Sequence, residues 1–393
     1  FSQNGHFRME VVDSIESLHW LSLFFDYCVS NRPFILPSTS TESWRARAEW
    51  VTEDGRPNEE RLIKDFGSLS APVMIDGDCE PVTMRLADYI EYVRGEREGK
   101  LRYLKDWHFQ ESAGCAHYTP PACLAPDWVN REEWTSTVAS PFDGSDYRFV
   151  YYGVKGTWTP FHSDVLSSHS WSANICGRKL WYFVPREEEG RFVENGNVIV
   201  DLRERRELFE KVGGFTLYQE AGEIVFVPAN WHHQVHNLED TISINHNSIN
   251  ASNIRLVADF LLSRREDVRK EIEDVRGIFT EEEWNEQERL LLKADARLDV
   301  QGLMKLCRLV IDSRVGRGRD CYVCWNHVDV QECRMGKVRS DLLLQYLPHS
   351  TLCVHIIDVR RVRACARGVR AYGSRPHRLS NRETRSAPRM TSK

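Results

Sequence analysis

His162 and Asp164 stand two residues apart in Thr159-Pro160-Phe161-His162-Ser163-Asp164. At the end of a strand, side chains at that spacing leave the backbone on one face, so an imidazole and a carboxylate converge. A third ligand is available about seventy residues later, where Pro228-Ala229-Asn230-Trp231 turns into His232-His233-Gln234-Val235-His236-Asn237. Two histidines and one carboxylate leave three coordination positions open on one side of a metal, the arrangement of non-haem Fe(II) oxygenases. The chain has 14 histidines, so a chance His-x-Asp is common and the pair takes its weight from its surroundings. Strand alternation puts His233, Val235 and Asn237 on one face and His232, Gln234 and His236 on the other, without saying which face is inside. A third feature is Lys179, set among the aromatic and aliphatic residues of Trp171 to Trp181. An inward lysine in such company needs an anion.

The elements around these residues read as short strands between Gly/Pro turns. They are 149–152, 157–162, 171–175, 179–184, 197–200, 223–227, 232–238 and 241–247. Regular short strands predict an antiparallel barrel or jelly roll. Upstream, Ile15, Leu18, Leu21, Phe25 and Cys28 stripe a helix over 13–29 that Asp13 and Glu16 can cap. Strands are expected at Phe34-Ile35-Leu36 and 71–75, and a helix at 59–66. Another helix, capped by Thr83 and ended by a left-handed Gly95, carries Leu86, Tyr89, Ile90 and Val93. After Ala251 the period becomes helical. Thr280 and Glu283 make a capping box before Trp284, Leu290, Leu291 and Leu292, and Leu303, Leu306, Leu309 and Val310 stripe a last helix. The fold class expected is α+β: an N-terminal α/β extension (1–147), a double-stranded β-helix (148–250), a helical section (251–314) and a tail (315–393).

At 393 residues and 41% hydrophobic, the chain can bury a large core, and it contains no apolar run long enough to span a membrane. It starts at Phe1 rather than Met, so a targeting peptide cannot be read from it. Eleven scattered cysteines read as mostly free thiols, which fits a cytoplasmic or nuclear setting. From Arg334 onward there are 14 Lys/Arg against 3 Asp/Glu, leaving 38 against 55 before it. An acidic body would repel a phosphate backbone, so direct nucleic-acid binding is not expected. The basic tail has no clean period and is expected to be disordered, or of aberrant origin. Cys321-x-x-Cys324, with His327 and Cys333, lacks the paired spacing of a zinc site. The acidic runs at 187–189 and 281–283 read as solvated surface and a helix N-terminus.

The strings GTWTPFHSDV, SWSANICGRKLW, KDWHF (Lys105 to Phe109) and VPANWHHQVHNLEDTISINHN, in that spatially separated set, carry a resemblance. Residues 149–185 and 222–247 resemble the jumonji C family of Fe(II)- and 2-oxoglutarate-dependent oxygenases, and about 13–313 are similar to its lysyl hydroxylases. The resemblance implies that His162, Asp164 and His233 ligate the iron, since the family's W-x-H-x-V-x-N falls on Trp231, His233, Val235 and Asn237. It implies that Lys179 pairs with the distal carboxylate of 2-oxoglutarate, and that Ser172 and Asn245 contact the cosubstrate. At those two positions relatives often carry asparagine and threonine instead.

The same resemblance implies O2-dependent hydroxylation of a lysine in a protein, with a peptide-chain release factor as partner, and so a role in translation termination. Histone lysine demethylation, tRNA-base hydroxylation and a catalytically silent cupin that binds a protein are the alternatives. His232, His236 and His246 are expected to be surface, core or supporting histidines. Tyr151, Trp158, Trp171 and Trp181 are expected in the core near the site. Lys105 to Phe109 could shape the substrate entrance but reads equally well as a loop with a buried tryptophan, and no catalytic part is expected of it.

Overall fold

The computed structural model describes residues 9–11, 23–95, 97, 99–131 and 146–315, all within one compact unit. In chain order the strands of the first part are β1 (Glu10–Val11), β2 (Phe34–Leu36), β3 (Ser70–Ile75), β4 (Val82–Arg85) and β5 (Arg102–Trp107). Then come β6 (Arg148–Gly153), β7 (Trp158–His162), β8 (His169–Cys176), β9 (Lys179–Phe183), β10 (Val193–Glu194) and β11 (Asn197–Val198). The last four are β12 (Phe215–Gln219), β13 (Ile224–Val227), β14 (His233–Asn237) and β15 (Thr241–Ser248). A nine-stranded sheet runs β1-β2-β13-β8-β15-β6-β5-β3-β4, and a four-stranded sheet runs β12-β9-β14-β7. The stretch β13-β8-β15-β6 and the four-stranded sheet are the two halves of a jelly roll, bridged inside by Lys179 of β9 and Ser243 of β15.

The N-terminal strands close both edges of the β13-β8-β15-β6 half, β2 beside β13 and β5 beside β6. Open strand edges invite pairing with other chains, and here the chain's own extension covers them. Alternation along β8, β15, β6 and β13 sends Trp171, Ala173, Ile175, Ile242, Ile244, Val150, Tyr152, Ile224 and Phe226 outward into the largest apolar core. There they meet α1 (Arg45–Glu49), α2 (Glu59–Phe66) and α3 (Leu86–Arg94), which contribute Ala46, Leu62, Phe66, Leu86, Tyr89, Ile90 and Val93. The opposite alternation leaves Ser170, Ser172, Ser243, Asn245, Tyr151 and Gly153 facing inward, in cross-strand pairs Asn245–Ser172, Ser243–Tyr151 and Gly153–Tyr103. The barrel is thus apolar outside and polar inside over part of its length, the reverse of a fold built only to bury grease.

Among the described residues, those after 251 are helical, and no helix is long and apolar enough to cross a membrane. The long helices there are 254–271, 281–296 and 300–315. The 281–296 helix begins with the expected capping box, Thr280 and Glu283 each accepting from the other's backbone N–H.

Several expectations need correction. Thr83 lies in β4 opposite Pro72, and Arg85 precedes α3 without any side-chain cap; the helix starts because the strand ends. Gly95 has φ −72°, so it is extended rather than left-handed. Leu290 and Leu291 are exposed while Trp284 and Leu292 are buried, because only one stripe of that helix meets the core. The expected 197–200 strand is two residues long, and Lys105 to Trp107 belong to β5 rather than to a loop. Helix 13–29 is described only from Leu23, with Phe24–Val29 wound as a π-helix. The rest of it, the Cys321 group and the tail beyond 315 lie outside the described residues.

Candidate metal centre and its polar chamber

His162 ends β7, Asp164 follows in the loop, and His233 begins β14, which pairs with β7 exactly at His162. The ligand atoms of the three side chains lie within 4.8 Å of one another. Each ring is held by its own backbone turn: His162 Nδ1 donates to Pro160 O at 2.7 Å and His233 Nδ1 to Trp231 O at 2.9 Å. That fixes Nδ1 as the protonated nitrogen and leaves both Nε2 atoms free to ligate. Burial, and then the nearby His162, push the His233 imidazole down to about 4, so it is neutral at pH 7. Ser170 Oγ donates to Asp164 Oδ2 at 2.6 Å, orienting the carboxylate and leaving Oδ1 open. Trp181 and Phe183 wall the site, their ring centroids 5.5 and 5.9 Å from that of His233.

Beyond the triad the interior is a polar chamber. Lys179 is 2% exposed, and among the described residues no carboxylate pairs with it. Among the described residues its Nζ donates only to Ser243 Oγ, at 2.7 Å, and burial pushes the ammonium down to about 7. Ser172 Oγ is buried without a hydrogen-bond partner among the described residues, and its cross-strand neighbour Asn245 reaches Ser243 Oγ at 3.2 Å. An unneutralised buried cation beside an orphaned hydroxyl is costly, and a bound carboxylate would relieve both. Two imidazoles with free Nε2 atoms and a carboxylate fit Fe(II), and the lysine chamber fits the distal end of 2-oxoglutarate.

Sequence reasoning missed Tyr103, and it placed Tyr151 only among the core aromatics near the site. Tyr103 projects from β5 into the chamber within hydrogen-bonding reach of Asn237 and Thr159, and meets the Tyr151 ring edge-on at 6.0 Å. Gly153 makes room for it: an added Cβ would collide with Asn237 Nδ2, Thr157 Oγ1 and the Tyr103 ring. Only the Tyr-x-Lys-x-Trp pattern of β5, read as a strand, could have signalled this. Trp171 lies in the outer core stacked on His246 at 4.1 Å, and Trp158 stacks on His236 at 5.4 Å, both on the side of their strands away from the chamber.

His232, His236 and His246 do structural work. His246 Nε2 meets Tyr118 Oη at 2.6 Å, His232 packs on Phe161, and His236 Nε2 accepts from Gln234 Nε2 at 2.7 Å. Gln234 also donates to Asp201 and accepts from Leu202 N, pinning the 189–212 insertion over the barrel's outer face. A second group with metal-ligand spacing, His108, Glu111 and Asp146, has its buried carboxylate already shared between His108 Nδ1 and Arg148 Nε. The guanidinium takes the place a metal cation would fill.

Comparison with known proteins agrees with the geometry. The family described as "JmjC domain, hydroxylase" matches residues 149–248, the segment that supplies both ligand motifs and Lys179. The chain is 35% identical to the 2-oxoglutarate and iron-dependent oxygenase JMJD4 of Gallus gallus, over 79% of this chain and 76% of that protein. It is 34% identical to the JMJD4 of Danio rerio over 88% and 86%. It is also 36% identical to the arginine-specific demethylase JMJ20 of Arabidopsis thaliana, over 69% and 64%.

Proposed function

The chain belongs to the JmjC-domain oxygenases that depend on iron and 2-oxoglutarate, and from that premise we propose that it hydroxylates a lysine side chain of a peptide-chain release factor. In this reading His162, Asp164 and His233 hold the Fe(II), while Lys179, Ser172 and Asn245 receive the distal carboxylate of 2-oxoglutarate. The catalytic core is 148–250, with 1–147 and 251–314 packed on it, in a cytoplasmic or nuclear setting. The observation that carries the reading is the coexistence, in one barrel, of three convergent ligands and a buried lysine that no described carboxylate neutralises.

When bound, iron and 2-oxoglutarate supply the oxidising power: decarboxylation of the 2-oxo acid is coupled to insertion of one atom of O2 into a C–H bond. The chain's own residues place and shield. Pro160 and Trp231 carbonyls fix the ligand tautomers, and Ser170 orients Asp164. Trp181, Phe183, Tyr103 and Tyr151 exclude water from the chamber and so strengthen the Lys179–carboxylate attraction. No general base is needed. An acidic body suits a basic substrate.

The test is an anaerobic titration with Fe(II) and 2-oxoglutarate, followed by the visible charge-transfer band of the chelate. The wild type should show it, His162→Ala should lose it, and Lys179→Ala should need far more cosubstrate. Mass spectrometry of release factor after aerobic turnover should then find one added oxygen on a lysine. The Arabidopsis relative's name supports a second reading, demethylation of methylated arginine, which the same assay on methylarginyl peptides would reveal by loss of methyl groups.

A further inference from the structure

Asp106 is held in a strained conformation beside the candidate site. Between the pairs Leu104–Tyr152 and Trp107–Val150, β5 has two residues, Lys105 and Asp106, where β6 has only Tyr151. This is a β-bulge, a device that re-aims a side chain and that clusters near active sites. Asp106 sits within it at φ +57°, a left-handed conformation that costs a non-glycine residue free energy unless its surroundings hold it there. What holds it is Tyr151, whose buried hydroxyl donates to Asp106 Oδ1 at 2.6 Å.

Tyr151 faces the chamber, paired across strands with the Ser243 that accepts from Lys179; burial first, then the nearby carboxylates of Asp106 and Asp164, raise its phenol. One tyrosine thus links the bulge to the metal ligand. The other oxygen of Asp106 has Lys105 Nζ only at 3.6 Å, beyond direct hydrogen-bond reach, and the carboxylate is half exposed. An anion has been oriented on one oxygen and left open to solvent on the other.

We propose that Asp106 is a specificity-determining residue that receives the cationic head of the substrate side chain, and the proposal rests on the protein-lysyl hydroxylase reading above. The chamber itself offers that head no welcome: Lys179 is a cation whose place beside the cosubstrate repels another. Asp106 lies on the β5 side, fixed by Tyr151, and a lysine ammonium there displaces Lys105 and makes a charge-assisted hydrogen bond. The bulge does the positioning, since an unbulged β5 would turn the carboxylate elsewhere.

The experiment measures binding of release-factor peptides, each carrying either lysine or norleucine at the hydroxylated position, to the wild type, Asp106→Asn and Asp106→Glu, with Fe(II) and 2-oxoglutarate under anaerobic conditions. The wild type should prefer lysine over norleucine by roughly ten- to hundredfold. Asp106→Asn should erase that preference, Asp106→Glu should restore part of it, and all three should show the cosubstrate charge-transfer band, which reports an intact fold. Aerobically, Asp106→Asn should raise KM for the lysyl peptide far more than it lowers kcat. A full preference retained by Asp106→Asn overturns the assignment of Asp106 alone. A wild type that neither distinguishes the peptides nor hydroxylates lysine overturns the lysyl reading, and the Asp106 role with it.

Discussion

Single atoms decide the chemistry of this barrel. Ser170 makes one hydrogen bond to one oxygen of Asp164, yet supports of this kind are worth about tenfold or more in metal affinity. Ser170→Ala should therefore weaken Fe(II) binding about tenfold at saturating 2-oxoglutarate, read from the band in an anaerobic iron titration. Lys179 yields a pH signature. Burial lowers its ammonium from the ordinary 10.5 to about 7, whereas a bound carboxylate favours the charged form. Cosubstrate binding should take up about half a proton at pH 7, nearly one at pH 8.5 and almost none below pH 6, measured by calorimetry in buffers of different ionisation enthalpy. Uptake that persists in Lys179→Met would belong to another group. The triad and Lys179 were legible because each rests on a short pattern: His-x-Asp, a turn before His233, a lysine among apolar strand residues. Tyr103 and the role of Asp106 were not, since their strand β5 comes from the extension and reaches the chamber only through tertiary pairing.

At the level of elements, the expected strands of the barrel appear with boundaries shifted by a residue or two, and the helical section begins where the alternation stops. Strand β12 escaped notice because Phe215, Thr216, Leu217 and Tyr218 alternate only weakly, and β5 because a bulge interrupts its period. The two caps expected of α3 failed because that helix borrows its start from β4 and its end from an extended glycine. The 189–212 insertion hangs on Gln234, which bonds Asp201 Oδ1 at 2.8 Å and Leu202 N at 2.7 Å. Gln234→Ala leaves those buried groups unpaired and should cost about 2 kcal/mol in urea unfolding. Hydrogen exchange should quicken chiefly across the insertion, with the proposed ligand His233, which faces the other way on β14, still able to bind iron.

Across the whole molecule, charge divides the chain where the chemistry does. The acidic body holds every candidate site residue, and the basic stretch from Arg334 holds none. A chain ending at Arg314 should keep the band and the lysine preference; loss of both in a well-folded shortened protein would assign the tail a part in the site. The edge strands bear on a separate question. The segment matched by the family, 149–248, contains every proposed iron and cosubstrate contact, yet its outward faces are the apolar half of someone else's core and its larger sheet is bordered on both sides by strands from residues before 108. The catalytic apparatus is therefore not a portable cassette. A gene fusion that moved only those hundred residues would carry the recipe for the reaction and leave behind the vessel, which explains in physical terms why likeness to the JMJD4 proteins runs so far beyond the domain that does the chemistry.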